Sequence, residues 1–172
     1  MKLQFVAVLA LTALLAACSS NDEELASTTG AGIDSAATGS GVDGSGLPPV
    51  NSPEYFNTVI GDRVFFETDS SQITLAGQDV LAQQANWLGA NPGVTATIEG
   101  HADERGTRDY NLALGARRAN AVRSFLASQG IDASRLKTVS FGKERPVSTC
   151  SNDSCWSENR RGVTVLAGGG VS

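Results

Sequence analysis

IEGHADERGTRDYNLALGARRANAVRSFL, residues 98–126, holds most of the chain's unusual residue choices and reads as a strand end, a polar turn and a long helix. With Leu112 set at zero and a step of about 100° per residue, Leu112, Leu114, Gly115, Ala119, Val122, Phe125 and Leu126 share one arc of about 160°. Such an arc faces a core. Asn111 and Arg118 fall inside it, and Arg117 falls outside. A guanidinium keeps its proton, so Arg118 on an apolar face requires hydrogen-bonding and usually anionic partners. The sequence offers two: Asp103, in the turn just upstream, or the carboxylate of a ligand.

On either side of this stretch the signals alternate. Arg63–Phe66 is a short apolar strand followed by the polar turn 67–71. Thr74 caps a helix over about 75–90, where Val80, Leu81, Gln84, Ala85 and Leu88 keep helical spacing. Asn91-Pro92-Gly93 stops it. Thr95–Glu99 reads as a second strand, 101–107 as a turn, and the long helix ends near Gln129 before Gly130. Lys137–Phe141 and Gly162–Leu166 read as third and fourth strands, with a cysteine-bearing loop between them. The order βαβαββ predicts an α+β fold with helices laid on one mixed sheet, some of it parallel. The domain is placed at 55–167, with 168–172 as a loose tail.

Residues 1–17 carry Lys2, an apolar run and a small-residue end, the pattern of a secretory signal and too short for a membrane span of about 20 residues. The tetrad Leu15-Ala16-Ala17-Cys18 resembles the lipobox of bacterial lipoproteins, which implies diacylglycerol and an N-acyl chain on Cys18. More than one acyl chain is what stable anchoring takes. Ser19, rather than an aspartate, follows, and by the bacterial sorting rule implies the outer membrane. Residues 18–54 then form a lipidated cysteine and a tether rich in Ser, Thr, Gly, Ala and Asp, expected to be disordered. Residues 19–54 hold six acidic and no basic residues, whereas 55–172 hold twelve of each. The balance of the folded part argues against nucleic acid as a partner.

With Cys18 lipidated, Cys150 and Cys155 remain as an even pair in an oxidising compartment, read as a short-loop disulfide or as two free thiols. A zinc site is disfavoured by the single histidine, and no other metal or cofactor is implied. An enzyme can be assembled from His101, Asp103 and Glu104 with Ser140 or Thr107, yet no nucleophile elbow, zinc-protease motif or phosphate loop is present. His101 is read as a hydrogen-bonding structural residue. Asp103 and Arg118 present one charge of each sign. Either they satisfy each other, or they grip a ligand with an ammonium on Asp103 and a carboxylate held bidentately by Arg118.

GHADERGTRDYNLALGARRANAVRSFL, VSFGKERP and WSENRRGVTV closely resemble the outer-membrane protein A-like domain family over about residues 62–166. The resemblance implies a domain that noncovalently holds the diaminopimelate-containing stem peptide of peptidoglycan. It places Asp103 and Arg118 on the diaminopimelate, with Arg105, Asn111, Leu114, Phe66 and Glu67 on further site positions. Glu67 departs from the aspartate usual after that phenylalanine, and the Cys150/Cys155 loop is a second departure. The lipid-anchored branch of the family further implies TolB, other Tol proteins and outer-membrane proteins as partners, and a role in envelope integrity and division. Substitution of Asp103 or Arg118 by alanine is expected to abolish wall binding and leave the fold largely intact.

Overall fold

The computed structural model describes residues 46–167. The signal sequence, Cys18, the tether up to residue 45 and the 168–172 tail lie outside the described residues. In chain order the elements are α1 (Pro53–Tyr55, prolonged by a π-helical stretch, Phe56–Gly61), β1 (Arg63–Phe65), α2 (Leu75–Ala90) and β2 (Thr95–His101). They continue with α3 (Arg108–Ser128), a 3-10 turn (Ala133–Arg135), β3 (Leu136–Gly142), α4 (Asp153–Asn159) and β4 (Arg161–Ala167).

Each long helix starts where a hydroxyl satisfies a free amide of the first turn. Thr74 Oγ1 accepts from Gly77 N at 3.1 Å, and Thr107 Oγ1 from Tyr110 N at 3.2 Å. At the far end of α3 the chain turns through Gly130, whose φ of 94° suits glycine, and Ile131 N returns to Leu126 O at 3.2 Å. The end of α2 is closed from a distance: the Arg135 guanidinium donates to the carbonyls of Leu88, Asn91 and Val94.

The four strands form one mixed sheet in the order β1-β4-β2-β3. β2 and β3 pair in parallel, while β4 runs antiparallel to both β1 and β2. This is the α+β arrangement expected from the sequence. Ala96 and Ile98 on β2 are buried and alternate with Thr95, Thr97 and Glu99, so one sheet face takes the helices. The core there includes Phe56, Leu81, Leu88, Ile98, Val122 and Leu126, with Phe56 meeting Trp87 edge-on at 5.1 Å.

α3 lies unusually close to the sheet. A Cβ on Gly100 would collide with the carbonyl oxygen of Gly115, and one on Gly115 would collide with Ser140 Oγ. These two glycines let backbone meet backbone, and Ser140 Oγ fixes the contact by donating to Leu112 O at 2.6 Å. The buried face of α3 is Asn111, Leu114, Gly115, Arg118, Ala119, Val122 and Leu126. Leu112, at the rim of the expected arc, is instead 46% exposed, although its backbone lies against Ser140 and Gly142 of β3.

Three local features differ from the sequence reading. The fold takes in residues upstream of 55: Ser52 caps α1, and the Trp87 indole donates to Val50 O at 2.7 Å. The stretch 53–61 is helical, and part of the 148–159 segment is the short helix α4 rather than loop. Cys150 and Cys155, read from the sequence as a short-loop disulfide or as two free thiols, are joined by a disulfide at the entry to α4.

Candidate ligand-binding site

β1 and β2 are each antiparallel to β4, hence parallel to each other, and they deliver their following turns to the same end of the sheet. Arg118, one turn along α3 from Gly115, sits beneath both turns with 0% of its surface exposed. Its Nε donates to Ser70 O at 2.8 Å, Nη1 to His101 O at 2.9 Å and Nη2 to Glu67 O at 3.0 Å. The guanidinium also faces the Phe66 ring at 5.2 Å. Burial lowers its pKa to about 10, partly offset by the nearby Asp103 charge, so it remains a cation near neutrality.

No direct Asp103–Arg118 bond forms, which corrects the reading that they satisfy each other. Backbone carbonyls, rather than a carboxylate, occupy Arg118. The expectation that Arg118→Ala spares the fold is corrected too, since the same side chain ties the 67–70 turn to the end of β2.

Asp103 is 8% exposed and takes its charge partners from elsewhere. Arg105 Nη2 lies 2.7 Å from Oδ2 and Arg105 Nε 3.2 Å from Oδ1, and the Arg105 amide donates to Oδ1 at 3.1 Å. Arg160 Nη1 stands 3.6 Å from Oδ2. Burial pushes the Asp103 carboxyl up, but the Arg105 bonds and the charges of Arg105 and Arg160 outweigh it and hold the pKa below its ordinary value.

Around this carboxylate lies a pocket of about 340 Å³ lined by Thr68, Asp69, Asp103, Arg105, Gly106, Tyr110, Asn111 and Leu114. Asn111 is buried and its amide donates to Arg105 O at 2.7 Å, fixing the turn that presents Asp103. Across the mouth, the Tyr110 hydroxyl bonds Asp69. Of the residues expected at the site, Asp103, Arg105, Asn111 and Leu114 therefore share one pocket. Phe66 and Glu67 line a neighbouring depression of about 500 Å³ with Arg160 at its base. Arg160 joins the two depressions, since it donates to Phe66 O at 3.0 Å and also pairs with Asp103.

Arg160, Tyr110, Asp69 and Thr68 carry no role in the sequence reading, although WSENRRGVTV contains the first. Its signal was a pair of adjacent arginines at a strand start, both of which prove buried. His101 departs from its expected role: neither ring nitrogen has a hydrogen-bond partner. The imidazole stacks on Phe141 at 5.5 Å, with Nε2 3.4 Å from Glu99 Oε2. Burial, then the positive charges of Arg161 and Arg145, depress its pKa to about 4. The enclosed ring is therefore neutral near pH 7. Among the described residues no cluster of His, Cys, Asp and Glu could hold a metal, and no helix is long and apolar enough to cross a membrane.

Residues 65–160 match the OmpA family model. The chain is 57% identical over 131 residues to a peptidoglycan-associated lipoprotein of Agrobacterium fabrum, covering 76% of this chain and 74% of that one. It is 48% identical over 162 residues to the protein of that name in Rhizobium meliloti, covering 94% and 86%. The crystal structure of the peptidoglycan-associated lipoprotein from Burkholderia pseudomallei superposes with a TM-score of 0.60 at 40% identity, over 62% of this chain and 90% of that one. The C-terminal domain of Helicobacter pylori MotB shares the fold, with a TM-score of 0.58 at 20% identity, over 62% of this chain and 84% of that one. The chain belongs to the OmpA family and, within it, to the peptidoglycan-associated lipoproteins.

Proposed function

We propose that this protein binds the diaminopimelate stem peptide of peptidoglycan noncovalently and so anchors the outer membrane to the cell wall. The observation that carries this reading is a buried carboxylate, Asp103, at the base of a pocket of about 340 Å³ walled by Arg105, Asn111 and Leu114. A ligand ammonium finds its anion in Asp103, while Arg105, still paired with that carboxylate through Nε and Nη2, offers its remaining N–H groups to the ligand carboxylate. Arg118 contributes from below. Three of its N–H groups hold the flanking turns in place, and its charge favours an anionic ligand group nearby. Phe66 and Glu67 border the adjoining depression, where the rest of a stem peptide extends from the pocket.

The protein acts as a tether and not as an enzyme. Lipid on Cys18 holds one end in the outer membrane, the domain faces the periplasm, and many copies engaging the wall together supply avidity. The names of its relatives support wall binding and lipid attachment. Within this reading it serves the Tol-Pal system in cell division, with TolB as a periplasmic partner.

Sedimentation with purified peptidoglycan tests the site. Asp103→Ala should stay in the supernatant while wild type pellets, with no soluble wall fragments released over time. Undiminished pelleting of a folded Asp103→Ala protein would remove Asp103 from the site, and steady release of fragments would point to a hydrolase.

A further inference from the structure

Arg105 is the pocket cation with the least support from its own element. It sits in a turn with its side chain 41% exposed, and its contacts within that turn are to Asp103. What flanks it on the other side comes from α4. The Arg105 guanidinium lies over the Trp156 ring at 4.2 Å, and Trp156 Nε1 donates to Glu104 Oε1 at 3.2 Å. One indole thus contacts both charged residues that follow Asp103, and it does so differently: its face supports the cation and its edge holds the anion aside.

α4 has seven residues, too few to be stable by itself. Three devices fix it. Asn152 caps its start by accepting from Ser154 N at 3.1 Å. Asn159, buried at its end, bonds the backbone of Val147 and Ser148. The Cys150–Cys155 disulfide ties the helix, one residue before Trp156, to the preceding loop.

We propose that Trp156 is a positioning residue of the pocket and that the Cys150–Cys155 disulfide keeps it in place, so that Arg105 is pre-oriented for the carboxylate of the ligand. A guanidinium stacked on an indole keeps its plane, and its N–H edge points into the pocket instead of sampling solvent. The indole edge also occupies Glu104, whose Oε1 accepts from Trp156 Nε1. The proposal rests on the stem-peptide reading above.

The test uses the full chain and the soluble tripeptide L-Ala-γ-D-Glu-meso-diaminopimelate, titrated by calorimetry, with circular dichroism confirming that each variant is folded. Trp156→Ala should weaken binding by about fivefold to tenfold, the scale of a lost cation–π contact. Trp156→Phe keeps a ring face and should recover most of the affinity. Cys150→Ser with Cys155→Ser, and wild type reduced with dithiothreitol, should fall to the level of Trp156→Ala, with no further loss when the changes are combined. Ligand should also shift the wild-type tryptophan emission and leave that of Trp156→Phe nearly unchanged.

Wild-type affinity in Trp156→Ala, or no recovery in Trp156→Phe, overturns the positioning role. Full affinity without the disulfide overturns its part. In either case loss of binding in Asp103→Ala leaves the stem-peptide reading standing, whereas wild type that ignores the tripeptide defeats both.

Discussion

Arg118 shows how one side chain serves as both structure and charge. Its three carbonyl partners belong to residues 67, 70 and 101, so it replaces three backbone donors that the turns themselves lack. Arg118→Ala leaves those carbonyls without partners in a buried place, a cost of about 3–5 kcal/mol. A matching drop in the urea midpoint, with unchanged slope, is the expected result. Because Arg118→Ala loosens the turns as well as removing a charge, Asp103→Ala is the sharper probe of binding. His101 supplies a second prediction at this scale. Its folded pKa of about 4 lies below the unfolded value of 6.5, so the unfolded chain binds the extra proton first as pH falls. The stability that His101 contributes is therefore complete above about pH 6.5 and is lost as pH falls toward 4, on the order of 3 kcal/mol. The groups around the ring are Glu99, Phe141, Arg145 and Arg161, and only Glu99 favours protonation. Thermal melts from pH 7 to pH 4.5 should fall for wild type and flatten for His101→Gln.

At the level of elements, the decisive contact is the backbone approach of α3 to β2. Gly100→Ala inserts a methyl where the Gly115 carbonyl lies, and α3 must lift off the sheet. A loss of more than about 4 kcal/mol is expected, read as a protein that is largely insoluble or melts far below wild type. Much of this architecture was legible because its signals are local. Thr74 and Thr107 cap helices within three residues of themselves, and Gly130 ends α3 where it stands. Arg118 betrayed itself by periodicity alone. What escaped the sequence depends on partners far along the chain. α4 exists through a disulfide and the Asn159 bonds, and Arg135 closes α2 from more than 40 residues away. The same holds for the site. Asp103, Arg105, Asn111 and Leu114 lie within one stretch and could be grouped, whereas Thr68, Asp69 and Arg160 reach it only through the sheet order.

Across the whole molecule, the described structure accounts for the gripping end, and Cys18 for the other end under the proposed function. Cys18→Ser should move the protein from the membrane fraction to the soluble periplasmic fraction while the purified chain still pellets with peptidoglycan. Retention of Cys18→Ser in the membrane would contradict lipid attachment there. The chain enters the fold at Val50, whose carbonyl is held by Trp87, and passes through α1 into the start of β1. Asp103 follows the far end of β2, which runs parallel to β1 with β4 between them. Under the proposed function, a pull between membrane and wall is thus directed lengthwise along the strands, across ladder hydrogen bonds that lie perpendicular to it. Those bonds share the load in shear and must fail together rather than unzip singly, which suits the domain to bearing tension.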